Sequence, residues 1–189
     1  NFKRCSKINS VSIAMLSKSL KTHQCLKHLN VDFPYYENIK EGVNVFFQEL
    51  VHVQLLESFQ FSMQCHKSSV QEEAIQNLSI ALQAQNQLQI FHMKLDSGET
   101  QGPWMQHLAE GFRGLKNLSD LYLNFKNNES LNDKSAKGFK QGLKYLETLT
   151  TLKLNFLGHN FSQSGIKAIS EGIEALKNLK NLDLNLNNH

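Results

Sequence analysis

The sequence predicts an α/β solenoid, a stack of about six strand-helix units, and three observations lead to it. The first is a leucine ruler. Leu26, Leu56, Leu88, Leu118, Leu149 and Leu179 are spaced by 30, 32, 30, 31 and 30 residues. A period in this range marks a stacked array, whose units bury their apolar faces against one another. The second is an alternation. The residues three, five and seven places after each leucine are apolar in all six units, with mostly polar residues between them. That is the period of a half-buried strand. The third is a helical stripe. Thirteen, ten, six and three places before each leucine the residues are apolar except at His23 and Gln85, and spacings of three, four and three share one helix face.

The elements follow in chain order. Ile13, Leu16, Leu20 and His23 outline the first helix, and Leu29, Val31 and Phe33 the first strand. Val43, Phe46, Leu50 and Val53 predict the second helix, before a strand at Phe59, Phe61 and Met63. Ile75, Leu78, Leu82 and Gln85 predict the third, before Phe91, Met93 and Leu95. The fourth helix carries Met105, Leu108, Phe112 and Leu115, with Pro103 as its first residue, where proline's missing N–H costs nothing. Its strand is Leu121, Leu123 and Phe125. Ala136, Phe139, Leu143 and Leu146 precede Leu152, Leu154 and Phe156; Ile166, Ile169, Ile173 and Leu176 precede Leu182, Leu184 and Leu186.

His23 and Gln85 both fall at a helix end, where a side chain reaches solvent or caps a carbonyl. His23 is expected as a core residue at a frayed end. Small residues recur one place before the third stripe position: Ser19, Ala81, Gly111, Gly142 and Gly172. Glycine inside a helix costs about 1 kcal/mol against alanine, so three in register imply close approach of neighbouring helices. Glu49 breaks this column and is expected to splay the second unit. Trp104 lies beside the buried stripe and is expected to pack at the helix start.

The late units read Gly-Leu-Lys-Asn-Leu-Ser-Asp-Leu-Tyr-Leu-Asn-Phe from Gly114, Leu-Glu-Thr-Leu-Thr-Thr-Leu-Lys-Leu-Asn-Phe from Leu146, and Leu-Lys-Asn-Leu-Lys-Asn-Leu-Asp-Leu-Asn-Leu from Leu176. A strand of this wording after an amphipathic helix resembles the leucine-rich repeat. The helix in every unit is similar to the ribonuclease-inhibitor-like class. The resemblance spans essentially the whole chain and is sharpest from Leu115 to Asn188, since Phe, Met and Val replace Leu in the first three units. It implies a curved array with a parallel sheet on the concave face and helices on the convex face. It also implies an asparagine closing the turn after each strand, with Asn128 and Asn160 as counterparts and no clean match in the first three units. Asn and Gln supply 34 of the 189 residues, a wording similar to leucine-rich arrays of ciliated protists.

In such arrays partners lie on the concave face. Here its fourth positions are Asn30, Gln60, His92, Tyr122, Lys153 and Asp183, and its sixth positions Asp32, Ser62, Lys94, Asn124, Asn155 and Asn185. Tyr122, flanked by His92, Lys94 and Lys153, is the expected contact, and Asn124, Asn155, Asp183 and Asn185 extend the surface. A tyrosine among adaptable amides suits a protein partner more than a small-molecule pocket. The stacked asparagines have two readings, a binding column or solvated copies of one repeat. Net charge is +3, and the face mixes Lys27, Lys94, Lys126, Lys153 and Lys180 with Asp32, Glu57, Asp120 and Asp183. A nucleic-acid binder concentrates one sign, so no nucleic-acid partner is expected. Lys134, Lys137, Lys140 and Lys144 follow helical spacing on the outer face of the fifth helix. They form either a solvated face or a site for an acidic partner.

Catalytic motifs are absent: no G-x-S-x-G, no H-E-x-x-H and no phosphate-cradling glycine loop, Gly98 to Gly102 reading as a plain turn. No catalytic residue, cofactor or metal is expected. Cys25 with His28 and Cys65 with His66 have zinc-ligand chemistry, but they fall at opposite ends of their strands. Cys5, Cys25 and Cys65 are odd in number at unrelated offsets, as expected of reduced cytosolic thiols. No run approaches the 18 or so apolar residues of a membrane span. The chain opens without Met or signal region, and no polar cap follows the sixth strand, so a fragment of a longer protein is expected. The expected function is a non-catalytic protein-interaction scaffold of the cytoplasm, in a cytoskeletal, ciliary or other assembly. Two alternatives stay open: the regulatory arm of an enzyme such as a protein kinase, and a regulator of a small GTPase. The last is poorly served by two arginines, Arg4 and Arg113.

Overall fold

The computed structural model describes residues 8–35, 38–65, 72–97, 103–126, 131–159 and 161–187. Helices and strands alternate: α1 (Ser10–Leu20), β1 (His28–Tyr35), α2 (Lys40–Leu50), β2 (Ser58–Cys65), α3 (Glu72–Gln83), β3 (Ile90–Ser97), α4 (Trp104–Gly111), β4 (Asp120–Asn124), α5 (Asp133–Leu143), β5 (Thr151–Asn155), α6 (Gln163–Glu174) and β6 (Asn181–Asn185). A short 3-10 turn, Phe112–Gly114, follows α4. The strands form one six-stranded sheet in the order β1 to β6, every neighbouring pair parallel. Leu29, Phe59, Phe91, Leu121, Leu152 and Leu182 stand side by side across it. The longer steps of the ruler leave this register intact because their extra residues fall between strand and helix.

Strands lie about 4.8 Å apart, whereas packed helices need about 8–10 Å. A stack with one strand and one helix per unit therefore curls with its sheet on the inside. Each strand's odd positions meet the helices, and its even positions face the hollow.

The core changes character along the stack. In the first half it is aromatic: Phe33 meets Phe46 edge-on at 5.1 Å, and Phe59 stacks on Phe91 at 5.8 Å. Phe47, outside the predicted stripe, is fully buried beside Phe46. In the second half leucine takes over, with Leu121, Leu123, Leu152 and Leu154 all buried. Each such side chain contributes about 1.5–3 kcal/mol by leaving water. Trp104 is buried and meets Phe125 edge-on at 5.1 Å, a core residue at the helix start rather than an exposed anchor.

The glycine column does what its register predicts. A Cβ on Gly111 would meet the Ser79 backbone at 3.1 Å, one on Gly142 the Ala109 Cβ at 2.6 Å, and one on Gly172 the Lys140 Cα at 3.1 Å. The splaying expected at Glu49 does not occur: column residues face the preceding helix, and α1 and α2 pack more extensively than any other neighbouring helices. Helix starts are capped by side chains: Asn9 accepts from the Ser12 N–H, Asn132 from Lys134 and Ser135, and Ser162 from Ser164. Pro103 is the N-cap of α4, one place before its predicted position.

Four stripe or ruler residues are corrected. His23 is exposed, outside the core altogether. Leu16, Ile166 and Leu182 are 44%, 37% and 50% exposed, because they sit in the first and last described units, which have a neighbour on one side only. Gln85 is buried and its amide donates to the Leu50 carbonyl at 3.2 Å, so this exception to the stripe caps a carbonyl of the preceding unit.

Candidate functional site

The sheet's inner face is built by register. His92, Tyr122, Lys153 and Asp183 are direct cross-strand neighbours, and so are Lys94, Asn124, Asn155 and Asn185. Parallel pairing without a slip carries all eight predicted contact residues onto one surface.

Tyr122, half-buried at its centre, is held from three sides. The His92 ring meets it edge-on at 5.7 Å, the Lys94 ammonium lies 5.6 Å from its ring centroid, and the Asn124 amide donates to its hydroxyl at 3.0 Å. His92 is anchored in turn, its Nε2 lying 3.1 Å from the Asp120 carboxylate. Lys94, Lys126 and Lys153 are exposed and form no ion pair among the described residues. Toward the rim, Lys27 and Glu57 pair at 2.7 Å; this bond raises the lysine's pKa and lowers the glutamate's.

A groove of about 470 Å³ runs across β1 to β4. Asn30, Asp32, Gln60, Ser62, Gln64, His92, Lys94, Asp96, Tyr122, Asn124 and Lys126 line it, over Phe61, Met63 and Leu95. Its acidic end holds Asp32, hydrogen-bonded to the Ser62 hydroxyl, and its basic end Lys94 and Lys126. Half of the predicted contacts, His92, Lys94, Tyr122 and Asn124, line this groove. Lys153, Asn155, Asp183 and Asn185 lie beyond it on the same face. Gln64, Asp96 and Lys126 belong to the groove because the strand line continues two places past the predicted columns, a signal present in the alternation itself.

The three stacked asparagines take a role that neither reading held. The side-chain carbonyls of Asn124, Asn155 and Asn185 accept the N–H two residues on, from Lys126, Leu157 and Asn187, at 3.1, 3.0 and 3.2 Å. Each closes the turn where its strand ends. The turn asparagine of each late unit is thus the sixth-position residue, while Asn128 and Asn160 lie outside the described residues. A second set staples units together before each strand. Asn117 donates to the Asn86 carbonyl at 2.8 Å, Thr148 to Lys116 at 3.2 Å and Asn178 to Glu147 at 2.7 Å. Asparagine richness in the late units is therefore architectural.

The lysine face of α5 is less uniform than its spacing. Lys140 pairs with Glu171 of α6, lowering the glutamate's pKa, and Lys144 bonds to Gln141 at 3.2 Å. Lys134 and Lys137 are exposed.

Among the described residues no three His, Cys, Asp or Glu side chains share a metal-sized site. Cys25 is exposed. Cys5, His66, Arg4 and Gly98 to Gly102, with the side chain of Cys65, lie outside the described residues. No described helix is long and apolar enough to cross a membrane.

No protein-family model matches the chain, and no curated protein matches it. Many solved structures compare with it, two of them as follows. One, a protein of Bacteroides fragilis, has a TM-score of 0.26 at 15% identity, covering 93% of this chain and 69% of its own, and no argument rests on it. The other is the tropomodulin C-terminal domain of Caenorhabditis elegans, with a TM-score of 0.57 at 14% identity, covering 86% of this chain and 92% of that domain. This likeness is one of fold: the chain is an α/β repeat solenoid, six parallel strands alternating with six helices, with an architecture similar to that domain.

Proposed function

We propose that this chain is a non-catalytic protein-interaction scaffold of the leucine-rich-repeat kind, binding its partner through the inner sheet face as part of a cytoplasmic, cytoskeletal assembly. The observation that carries the reading is Tyr122. It is a large amphipathic side chain at the β4 end of a broad open groove, held by His92, Lys94 and Asn124. An aromatic immobilised beforehand loses little entropy on binding, which is the property of an interface anchor. Further along the groove the amides of Asn30, Gln60 and Gln64 both donate and accept, as a peptide backbone requires.

The test is a native pull-down of the endogenous full-length protein, with mass spectrometry of what it retains. Tyr122→Ala with Lys94→Ala is expected to weaken retention of a stoichiometric partner by about tenfold or more, with helical content and melting unchanged. Equal retention by the variant removes the inner face as the binding surface. Recovery of an enzyme domain within the bait's own full-length polypeptide replaces the scaffold reading with that of a regulatory arm.

A further inference from the structure

The outer face holds a second groove, of about 460 Å³, between α4 and α5. Its walls carry Gln106, Glu110 and Arg113 on one side and Lys137, Gln141 and Tyr145 on the other, over a floor of Ala109, Gly138 and Gly142. The two glycines differ in what they do. At Gly142 a Cβ would lie 2.6 Å from the Ala109 Cβ and 2.8 Å from its Cα, so packing of the helix backbones demands glycine. At Gly138 the tightest contact is the Gln106 Cγ at 2.6 Å, with backbone no nearer than 3.4 Å. Helix packing does not require glycine there. A side chain at 138 would close the groove.

The charges of this groove are poised. Arg113 stacks its guanidinium 5.1 Å from the Tyr145 ring centroid, which fixes the direction of its donors. Among the described residues it has no ion pair, nor has Lys137, which interacts with the Asp133 carboxylate only at longer range, whereas Lys140 on the same helix is matched with Glu171. The segment Asp133 to Lys144 holds four lysines against one aspartate, as much net charge as the +3 of the whole chain. Glu110 in the wall disfavours a dense polyphosphate. Gln106 and Gln141 offer amides on opposite walls, suited to a peptide backbone.

We propose that the α4–α5 groove is a docking site for an acidic peptide segment of a partner protein. Spaced carboxylates meet Arg113 and Lys137, and the backbone crosses the glycine floor. The site is separate from the inner face and does not depend on what binds there.

The probe is a fluorescein-labelled peptide of alternating Glu and Gly, titrated with the 189-residue chain by anisotropy at low salt. Saturable binding is expected. The pair Arg113→Ala and Lys137→Ala weakens it about tenfold, and Gly138→Gln about fivefold with no change of charge. Tyr122→Ala leaves it unaltered. Lys134→Ala with Lys144→Ala removes the same charge outside the groove and costs less than about twofold. Should Gly138→Gln disturb the melting curve, Gln106→Trp fills the groove from the opposite wall and takes its place. Three results overturn the proposal: no saturable binding up to about 1 mM, an equal loss from the off-groove lysine pair, or tighter binding of a labelled oligothymidylate of equal charge.

Discussion

His159 shows how much one side chain can hold. It is 3% exposed, and its Nε2 donates to the Phe125 carbonyl at 2.7 Å, joining the turn after β5 to the end of β4. Its Nδ1 is buried without a partner beside the rings of Phe156 and Phe161. The preceding Gly158 takes φ 87°, the left-handed conformation glycine tolerates, and so swings the ring inward. Burial pushes the imidazole pKa below its ordinary value, and the carbonyl bond only partly restores it. The unfolded chain thus takes up this proton at higher pH than the folded one. Its contribution to stability is complete above about pH 6.5 and is lost as pH falls through the folded pKa. Melting temperature is expected to drop between neutral and mildly acid pH. His159→Phe should flatten that part of the drop while costing about 1–3 kcal/mol at neutral pH, since it leaves a buried carbonyl unbonded. An unchanged acid profile in the variant would assign the acid sensitivity to other groups. This role had no sequence signal, because it depends on a contact across 34 residues.

At the scale of elements, the glycine column was legible and its energetics can be sorted. Gly142→Ala gains about 1 kcal/mol in helix propensity, but its Cβ would overlap the Ala109 backbone. Overpacking of this kind typically costs about 1–3 kcal/mol, so the substitution is expected to destabilise. Gly138→Ala, opposed at short range by the Gln106 side chain alone, is expected to be neutral or stabilising. Urea denaturation of the two variants separates them; stabilisation by Gly142→Ala would mean that α4 and α5 are not in contact there. Helices, strands and their buried faces were readable because both periodicities are local. The asparagines were not. Their place in the columns was plain, but Asn124, Asn155 and Asn185 close the turn that follows their own strand, and Asn117 and Asn178 bond to another unit. One residue type thus serves two unrelated positions of the repeat.

In the whole molecule, each unit stands on its neighbours. Leu152 is fully buried between Leu121 and Leu182 in the sheet. Leu152→Asp places an unpaired carboxylate in that core, at a cost of several kcal/mol, comparable with the total stability of a domain this size. Loss of cooperative melting by circular dichroism is expected. A well-folded variant would put residue 152 on the outer face and the strand register in error. Stacking also explains why the same ruler position differs so much in exposure, from complete burial at Leu152 to 50% at Leu182. A residue's environment in a repeat array is set by the units on both sides.

By itself the sequence determined the architecture: six units, an inward and an outward face on every strand, a helix stripe, and a small-residue column for close packing. Those are properties of period, and period is written along the chain. The tertiary structure alone decided which outward residues meet. It drew the inner groove across β1 to β4 rather than along the late units. It spent the late asparagines on turns and staples and opened a basic groove between α4 and α5. Side-chain pairing across units depends on rotamers and loop geometry some 30 residues apart, and a local pattern holds no record of it.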